Sequence, residues 1–488
     1  SASGMKCKEP GAQKTRHIMK IGEFSSTARR GNSPAQPINQ CFLSMIRSQP
    51  CLPAPTRNFL NLLASSTLTP MPILRLYLLL ISVLLAGTAR AEMTIEIVTG
   101  AARQIPVAIV PFANDREDLT PVIKADLQRS GLFRLVDTAG VNPQPTDASV
   151  INHSEWQGRG ADALAVGSAS SQPDGSIKIN FRLYDPVRKT QIAGMSYTAR
   201  PTHVRATAHR IADVIYEKLT GDRGIFSTRI AYILKQGKRY QLQVADSDGE
   251  NAQTVLASNE PIISPRWSKD GSKLAYVSYE ERKPIVYSHH LASNQRRVVS
   301  NQKGSNSSPA WSPDGAKMAV TLTKDGLSQI YEVELGSGRL TRLTRSSGID
   351  TEADYSPDGR SIVFLSDRGG SPQLYQMPAS GGEARRLTFD GNYSVSPRYS
   401  PDGKSITYIK RDSGRFQVAI LDLASGVSTT LSDTSNDESP SFAPNGKMIL
   451  YATELGGRGA LAVVSSDGRI KQRLRVLSGE VREPAWGP

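Results

Sequence analysis

The sequence predicts a chain of mixed α/β plus all-β class: a small N-terminal α/β domain followed by a six-bladed β-propeller closed by the C-terminal strand. Three observations predict it. The stretch Ser308-Pro309-Ala310-Trp311-Ser312-Pro313-Asp314-Gly315 recurs with its aromatic position at Trp267, Trp311, Tyr355, Tyr399, Phe442 and Trp486, so successive copies lie 44, 44, 44, 43 and 44 residues apart, inside the roughly 40–50 residues of a propeller blade. Within a copy, an Asp-Gly or Asn-Gly pair supplies the positive φ of a tight hairpin, and the apolar runs around it make four short strands. Finally, the first blade offers strands only at 228–234, 240–245 and 253–256, without an innermost one, while the terminal copy Pro484-Ala485-Trp486 is an innermost strand with no blade after it. The two ends are therefore expected to share blade one.

The elements follow in chain order. Residues 1–70 are polar, Pro- and Ser-rich and without periodicity, and read as an unstructured extension. Residues 71–91 have the cationic start, short apolar run and small-residue end of a secretory signal, with cleavage expected after Ala91. Cys7, Cys41 and Cys51 all precede that point, so the mature chain has no disulfide to form. The stretch Glu92-Met93-Thr94-Ile95-Glu96-Ile97-Val98 alternates polar and apolar as a single edge strand does, able to pair with its own domain or with a partner. An α/β domain is expected over 99–223. In it, a buried strand within 105–112 precedes an amphipathic helix at 119–127 and a strand at 132–136; a short helix opens at Ser154, strands follow at 163–167, 177–184 and 191–198, and a helix at 202–219 is closed by Gly221. From 224 to 488 no helical period appears, as a propeller requires.

Charge excludes one class of partner. The formal +14 is concentrated in residues 1–91, which hold 11 Lys and Arg against 2 Asp and Glu, leaving only +5 on the rest, where basic residues are interleaved with acids. That is a solvated surface, with no nucleic-acid stripe. Enzymatic readings fail as well: there is no Gly-x-Ser-x-Gly elbow, no His-Glu-x-x-His, no CxxC and no phosphate-cradling loop. His289 and His290 are adjacent on a strand, point to opposite faces and are expected as surface histidines. The repeat aromatics are expected to pack between blades, with no ligand to stack on.

What is uneven around the ring is the loop before each innermost strand. Acids gather on three of the six blades, at Asp350 and Glu352, at Asp437 and Glu438, and at Glu483. Converging at one mouth of the channel, they are expected to face a cation or a partner's basic residues.

The signal, the small α/β domain, the Trp-Ser-Pro-Asp-Gly repeats, Arg229-Ile230-Ala231-Tyr232 at the propeller's start and Glu438-Ser439-Pro440-Ser441-Phe442-Ala443-Pro444-Asn445-Gly446 together resemble the TolB family, periplasmic propeller proteins of the Tol-Pal envelope system. The resemblance covers residues 71–488. It implies a non-enzymatic periplasmic scaffold without metal or cofactor, a monomer held near the membrane by protein partners, that supports outer-membrane integrity and constriction at division. It also implies that the lipoprotein Pal docks at positions matching Ser305, Asn306, Thr351, Glu352, Asp437 and Glu438, and that TolA binds residues 92–98. Where well-known members carry a histidine, this chain has Ser305. The runner-up reading is a periplasmic propeller that binds a small ligand or a metal ion in its channel.

Overall fold

The computed structural model describes residues 95–97, 104–474 and 479–488. The expected extension, the signal segment, and Glu92, Met93, Thr94 and Val98 lie outside the described residues. Strand β1 (Ile95–Ile97) stands apart from the domain that follows it. That domain comprises β2 (Ile105–Ile109), α1 (Leu119–Arg129), β3 (Phe133–Val136), α2 (His153–Gly158), β4 (Ala163–Ser171), β5 (Ile177–Asp185), β6 (Thr190–Ala199) and α3 (Val204–Thr220). Its sheet runs β3-β2-β4-β5-β6, parallel between β2 and its two neighbours and antiparallel beyond them.

Local chemistry sets the helix ends. The Asp115 carboxylate accepts from the amides of Leu119 and Thr120 at 2.9 and 2.8 Å, satisfying donors that the first turn of α1 leaves free. Gly221, at φ 80°, closes α3 by donating its amide to Glu217 O. Helices α1 and α3 cover one sheet face through Leu119, Ile123, Leu127, Ile211 and Ile215, packed on Val107, Ile109, Phe181 and Leu183. Trp156 of α2 seals the other face with Val110, Leu164 and Val166. Where the two covering helices meet each other, Asp126 and His209 are buried among the hydrophobic residues.

The propeller has six blades of four antiparallel strands, and the ring closes as its two ends predict. The innermost strand of blade one is Glu480–Trp486, paired antiparallel to Arg229–Gln236. Trp267 of blade two donates its indole N–H to Ala485 O of blade one at 3.2 Å, Trp311 of blade three donates to Arg266 O at 3.1 Å, Tyr355 donates to Glu332 at 3.0 Å and Tyr399 accepts from Gln376 at 2.7 Å, so these four repeat aromatics stitch their blades to the one before. A Cβ on Gly487 would stand 2.6 Å from the Trp267 ring, so only glycine fits at the seam.

The Ser-x-Asp-Gly spacing has a mechanical reason. In blade three the Ser312 hydroxyl donates to Asp314 and accepts the Lys317 amide at 2.9 Å, while Asp314 accepts the Ala316 amide at 3.0 Å; blades two, four and five repeat this arrangement. Blade six departs from it. With Ala443 in place of the serine, a carboxylate would lose its hydroxyl donor, and Asn445 instead donates its side-chain amide to Arg223 O in the interdomain linker at 2.9 Å. Its neighbour Lys447 pairs with Asp222 at 3.1 Å.

Two expectations need revision. His289 is a core residue, 1% exposed, placed between Tyr276 Oη at 3.2 Å and Asn294 Oδ1 at 2.7 Å. Alternation sends the two neighbours to opposite faces of a blade, and the face that carries His289 is covered while His290, at the strand's end, stays partly exposed. Strand β1, which could have docked on its own domain, pairs instead with the outermost strand of blade six, Ile470–Leu474, in the register Ile95 to Gln472, Glu96 to Lys471 and Ile97 to Ile470. Blade six is thereby five-stranded.

Candidate partner-binding sites

A backbone irregularity repeated six times organises the channel mouth. Ser264, Ser308, Glu352, Ser396, Ser439 and Glu483 all have φ between 48° and 56°, and each lies at a register shift of its innermost strand. Such bulges turn side chains out of the sheet, and positive φ at non-glycine positions is a strain that the surrounding ring must hold in place. In four blades the bulged residue is serine; in blades four and one it is glutamate. The Glu352 carboxylate reaches the next blade's bulge, accepting Ser396 N at 2.7 Å and Ser396 Oγ at 3.2 Å, and Glu483 accepts Ser264 N in the same way. Glu438 sits 3.6 Å from the Arg482 guanidinium and accepts the Glu483 amide at 3.4 Å.

Burial dominates the electrostatics of this ring. It pushes the Glu483 carboxyl up to about 7, aided by the charge of Glu438 and opposed by the Ser264 amide and Arg266. Burial likewise raises Glu352 and Glu438. One step further along the channel, Asp354 is raised to about 6 by burial despite the Tyr399 amide and Arg266. Arg266, Asp354, Arg398, Ser441 and Ala485 from five blades line a cavity of about 210 Å³ there, rimmed by the repeat aromatics.

The predicted mouth residues thus divide. Glu352, Glu438 and Glu483 are partly exposed in the channel. The side chains of Asn306, Asp350 and Asp437 do not face outward as expected. Asn306 and Asp350 begin innermost strands and Asp437 directly precedes one, and each is at most 1% exposed, because the loop before it folds over its side chain. Asn306 binds Ser300 Oγ, Gln302 and Gly304; Asp350 binds Ser346 Oγ and Arg368 at 2.8 and 2.9 Å; Asp437 holds Ser432, Thr434 and the Val418 amide. These side chains shape the mouth. Thr351 is buried, 3.1 Å from Thr321 Oγ1, and Ser305 Oγ is buried without a hydrogen-bond partner.

The second candidate is β1. Among the described residues, β1 adds three residues to the outer edge of blade six, and the strand it covers otherwise presents unpaired backbone groups.

Sequence reasoning missed a third assembly, at the domain junction. Asp126 and Arg129 of α1, Arg205 and His209 of α3, and Asp246 and Asp248 at the first-blade hairpin form one cluster. Its signal was Arg205 and His209, four residues apart on one helix face, and the Asp-x-Asp-Gly turn at 246–249. Oxygen and nitrogen atoms of Asp126, His209 and Asp248 lie within 4.8 Å of one another, as metal ligands would. Both carboxylates, however, are already engaged by Arg129, and Asp248 also by Arg205. Guanidinium charge occupies the position a cation would take.

Comparison with known proteins agrees with this architecture along the chain. Residues 93–192 match the TolB amino-terminal domain and 216–488 the TolB beta propeller domain. The Tol-Pal system protein TolB of Aromatoleum aromaticum is 67% identical over 407 residues, spanning 83% of this chain and 95% of that protein. That of Methylobacillus flagellatus is 63% identical over 408 residues, spanning 82% and 94%. The crystal structure of TolB from Acinetobacter baumannii superimposes with a TM-score of 0.75 at 41% identity, covering 81% of this chain and all of the other.

Proposed function

The chain belongs to the TolB family of the Tol-Pal system, and from that premise we propose that it is a non-enzymatic periplasmic scaffold that binds Pal at the channel mouth and TolA through residues 92–98. Its role is to support outer-membrane integrity and constriction during division. The observation that carries this reading is the pairing of β1: a segment expected to add itself to a partner's sheet already does so on blade six, by backbone hydrogen bonding that any exposed edge can supply. Docked and partner-bound states then compete for the same strand, and Pal shifts the balance by as much as its affinity differs between them. Partly exposed Glu352, Glu438 and Glu483 supply the mouth with negative charge for a basic partner surface.

Calorimetry with the purified TolA C-terminal domain and with Pal tests the assignment. Deleting residues 92–98 should abolish TolA binding and preserve Pal binding; parental TolA affinity in the deletion protein would move the TolA site elsewhere. The channel-ligand reading has one observation in its favour, the carboxylates above the cavity of about 210 Å³. Arg266, Arg398 and Arg482 weigh against a cation there. A calcium titration of the parent and of Glu483→Gln decides it, since channel binding predicts heat that the variant loses.

A further inference from the structure

We propose that the charge cluster between α1, α3 and blade one is a proton-dependent lock, with His209 as its titrating member, which seats the α/β domain on the propeller and thereby stabilises β1 on blade six. The lock itself stands on geometry. Only its consequence for a partner rests on the reading of β1 as the TolA segment.

The first argument is charge balance. Three carboxylates, Asp126, Asp246 and Asp248, face two guanidiniums, Arg129 and Arg205. Within these ion-paired groups an imidazolium at His209 brings the sum to zero and a neutral imidazole leaves one negative charge; Arg229, across the strand pair from Asp246, instead donates to Gly271 O and lies over the Trp267 ring. Asp126, Arg129, His209 and Asp248 are all buried, where an unbalanced charge is poorly tolerated. The second argument is orientation. His209 Nδ1 lies 2.7 Å from Asp126 Oδ2, while Nε2 looks toward Asp246 and Asp248 at 3.7 and 3.9 Å. A neutral tautomer must turn a lone pair toward a carboxylate on one side or the other, whereas the imidazolium presents a donor to both. Of the other acids nearby, Glu250 is exposed on the same hairpin, and Asp213 of α3 is occupied by the amides of Phe226 and Ser227 in the linker.

The third argument joins the lock to β1. Arg129 belongs to the cluster through its side chain, and its carbonyl oxygen accepts from Gln472 Nε2. Two residues on, a Cβ at Gly131, whose φ is 69°, would meet Ile470 Cδ1 at 2.8 Å. Ile470 and Gln472 are the register partners of Ile97 and Ile95. The C-terminal end of α1 therefore rests on the strand that β1 pairs with. Anything that unseats α1 loosens that strand, and by linkage a partner that withdraws β1 weakens the lock.

Burial, the largest influence on His209, opposes its charged form, but the hydrogen bond to Asp126 and the negative charges of Asp126, Asp246 and Asp248 together outweigh it and raise the group to about 9. A histidine raised in the folded state contributes stability that is complete below its unfolded value near 6.5 and is lost as pH climbs through the folded value. The lock is closed at neutral pH and opens in alkali.

The test uses the intact protein and no partner. Proton NMR of the His209 ring gives its titration directly, and hydrogen exchange, corrected for intrinsic rates, reports on 129–132 and 470–474 between pH 6.5 and 9.5. The expected result is a midpoint near 9 with exchange at both segments rising at least about tenfold across it. His209→Gln should exchange fast at every pH with no step, and the double variant His209→Gln/Asp246→Asn, which restores neutrality, should return the slow rate. Charge rescue is an outcome that lost packing alone does not produce. A His209 midpoint at or below 6.5, or a parent without a step, overturns the lock even where a variant fails to fold; slow exchange in His209→Gln, or no rescue in the double variant, does so too. TolA affinity, measured separately, bears only on the reading of β1.

Discussion

At the domain junction Asp126, Asp246 and Asp248 are matched by Arg129, Arg205 and His209, and every charge has a counter-charge within 4 Å. At the channel mouth Glu352 and Glu483 instead accept backbone amides of the next blade, and Glu438 shares the Arg482 guanidinium 3.6 Å away. Similar residue types meet two electrostatic solutions, largely buried at the junction and partly exposed at the mouth. The junction is neutralised and closed, and so suits holding two domains together. The mouth retains carboxylates raised toward neutrality and open to water, which suits a partner that arrives with its own positive charge.

The most severe way to break the comparison is to remove what the two regions share. Trp486 lines a cavity between the domains, together with Arg129, Tyr216 and Ile470, as well as the channel cavity, and donates to Thr228 Oγ1 at 2.8 Å. Truncating 484–488 opens blade one along its inner edge and should lower the melting temperature more than any substitution; Trp486→Ala alone should cost roughly 3 kcal/mol, the low end for a tryptophan because the ring is partly exposed. An unchanged melt in the truncated protein would refute ring closure.

Next in size is the junction. Arg129→Ala leaves Asp126 and Asp248 short of a partner, and should destabilise by about 3–5 kcal/mol in chemical denaturation. By contrast Glu483→Gln, which removes a charge that burial disfavours, should be neutral or stabilising at pH 8. If both variants destabilise alike, the two regions are not electrostatically different.

The pH dependence sharpens the contrast further. Glu483 has a folded value of about 7 against a reference of 4.5, so the folded state holds its proton more tightly, and stability falls as pH rises from about 4.5 through 7. His209, with a folded value of about 9, also gives falling stability, but from about 6.5 through 9. Stability against pH should therefore decline in two steps, with His209→Gln removing the upper and Glu483→Gln reducing the lower, which Asp354, raised to about 6, and the raised Glu352 and Glu438 share. A single step that survives either variant would place the titration elsewhere.

At the mouth, Glu352→Gln with Glu438→Gln should weaken Pal and reduce the salt dependence of its binding, with the melt little changed. Charge reversal is a poorer test, since the Glu352 carboxylate also braces the neighbouring bulge. Smallest of all is Lys447→Ala: its pair with Asp222 is about half exposed on both sides, and its loss should cost less than about 1 kcal/mol.

The legible part of this molecule is the part written in short range. Six aromatics at a 44-residue period, Asp-Gly turns with a serine two residues ahead, a first blade short of its innermost strand and an orphan innermost strand at the C-terminal end define the blades, their number and their closure, because each signal depends on residues a few positions apart or on simple counting. Spacing also placed Glu352, Glu438 and Glu483 at the mouth, but it gave Asp350, Asp437 and Asn306 the same standing. What separates the two sets is whether the preceding loop folds over the side chain, and nothing at that range records it.

The sequence by itself determined the order of domains, the blade count and the turn chemistry. Tertiary structure alone decided which charges are spent internally, that β1 crosses to blade six, and that the two domains meet through a balanced cluster. The physical reason is separation along the chain. Asp126 and His209 are 83 residues apart, and Arg129 and Gln472 are 343 apart. Electrostatic and edge-pairing energies depend on distance and burial in space, which local pattern does not encode.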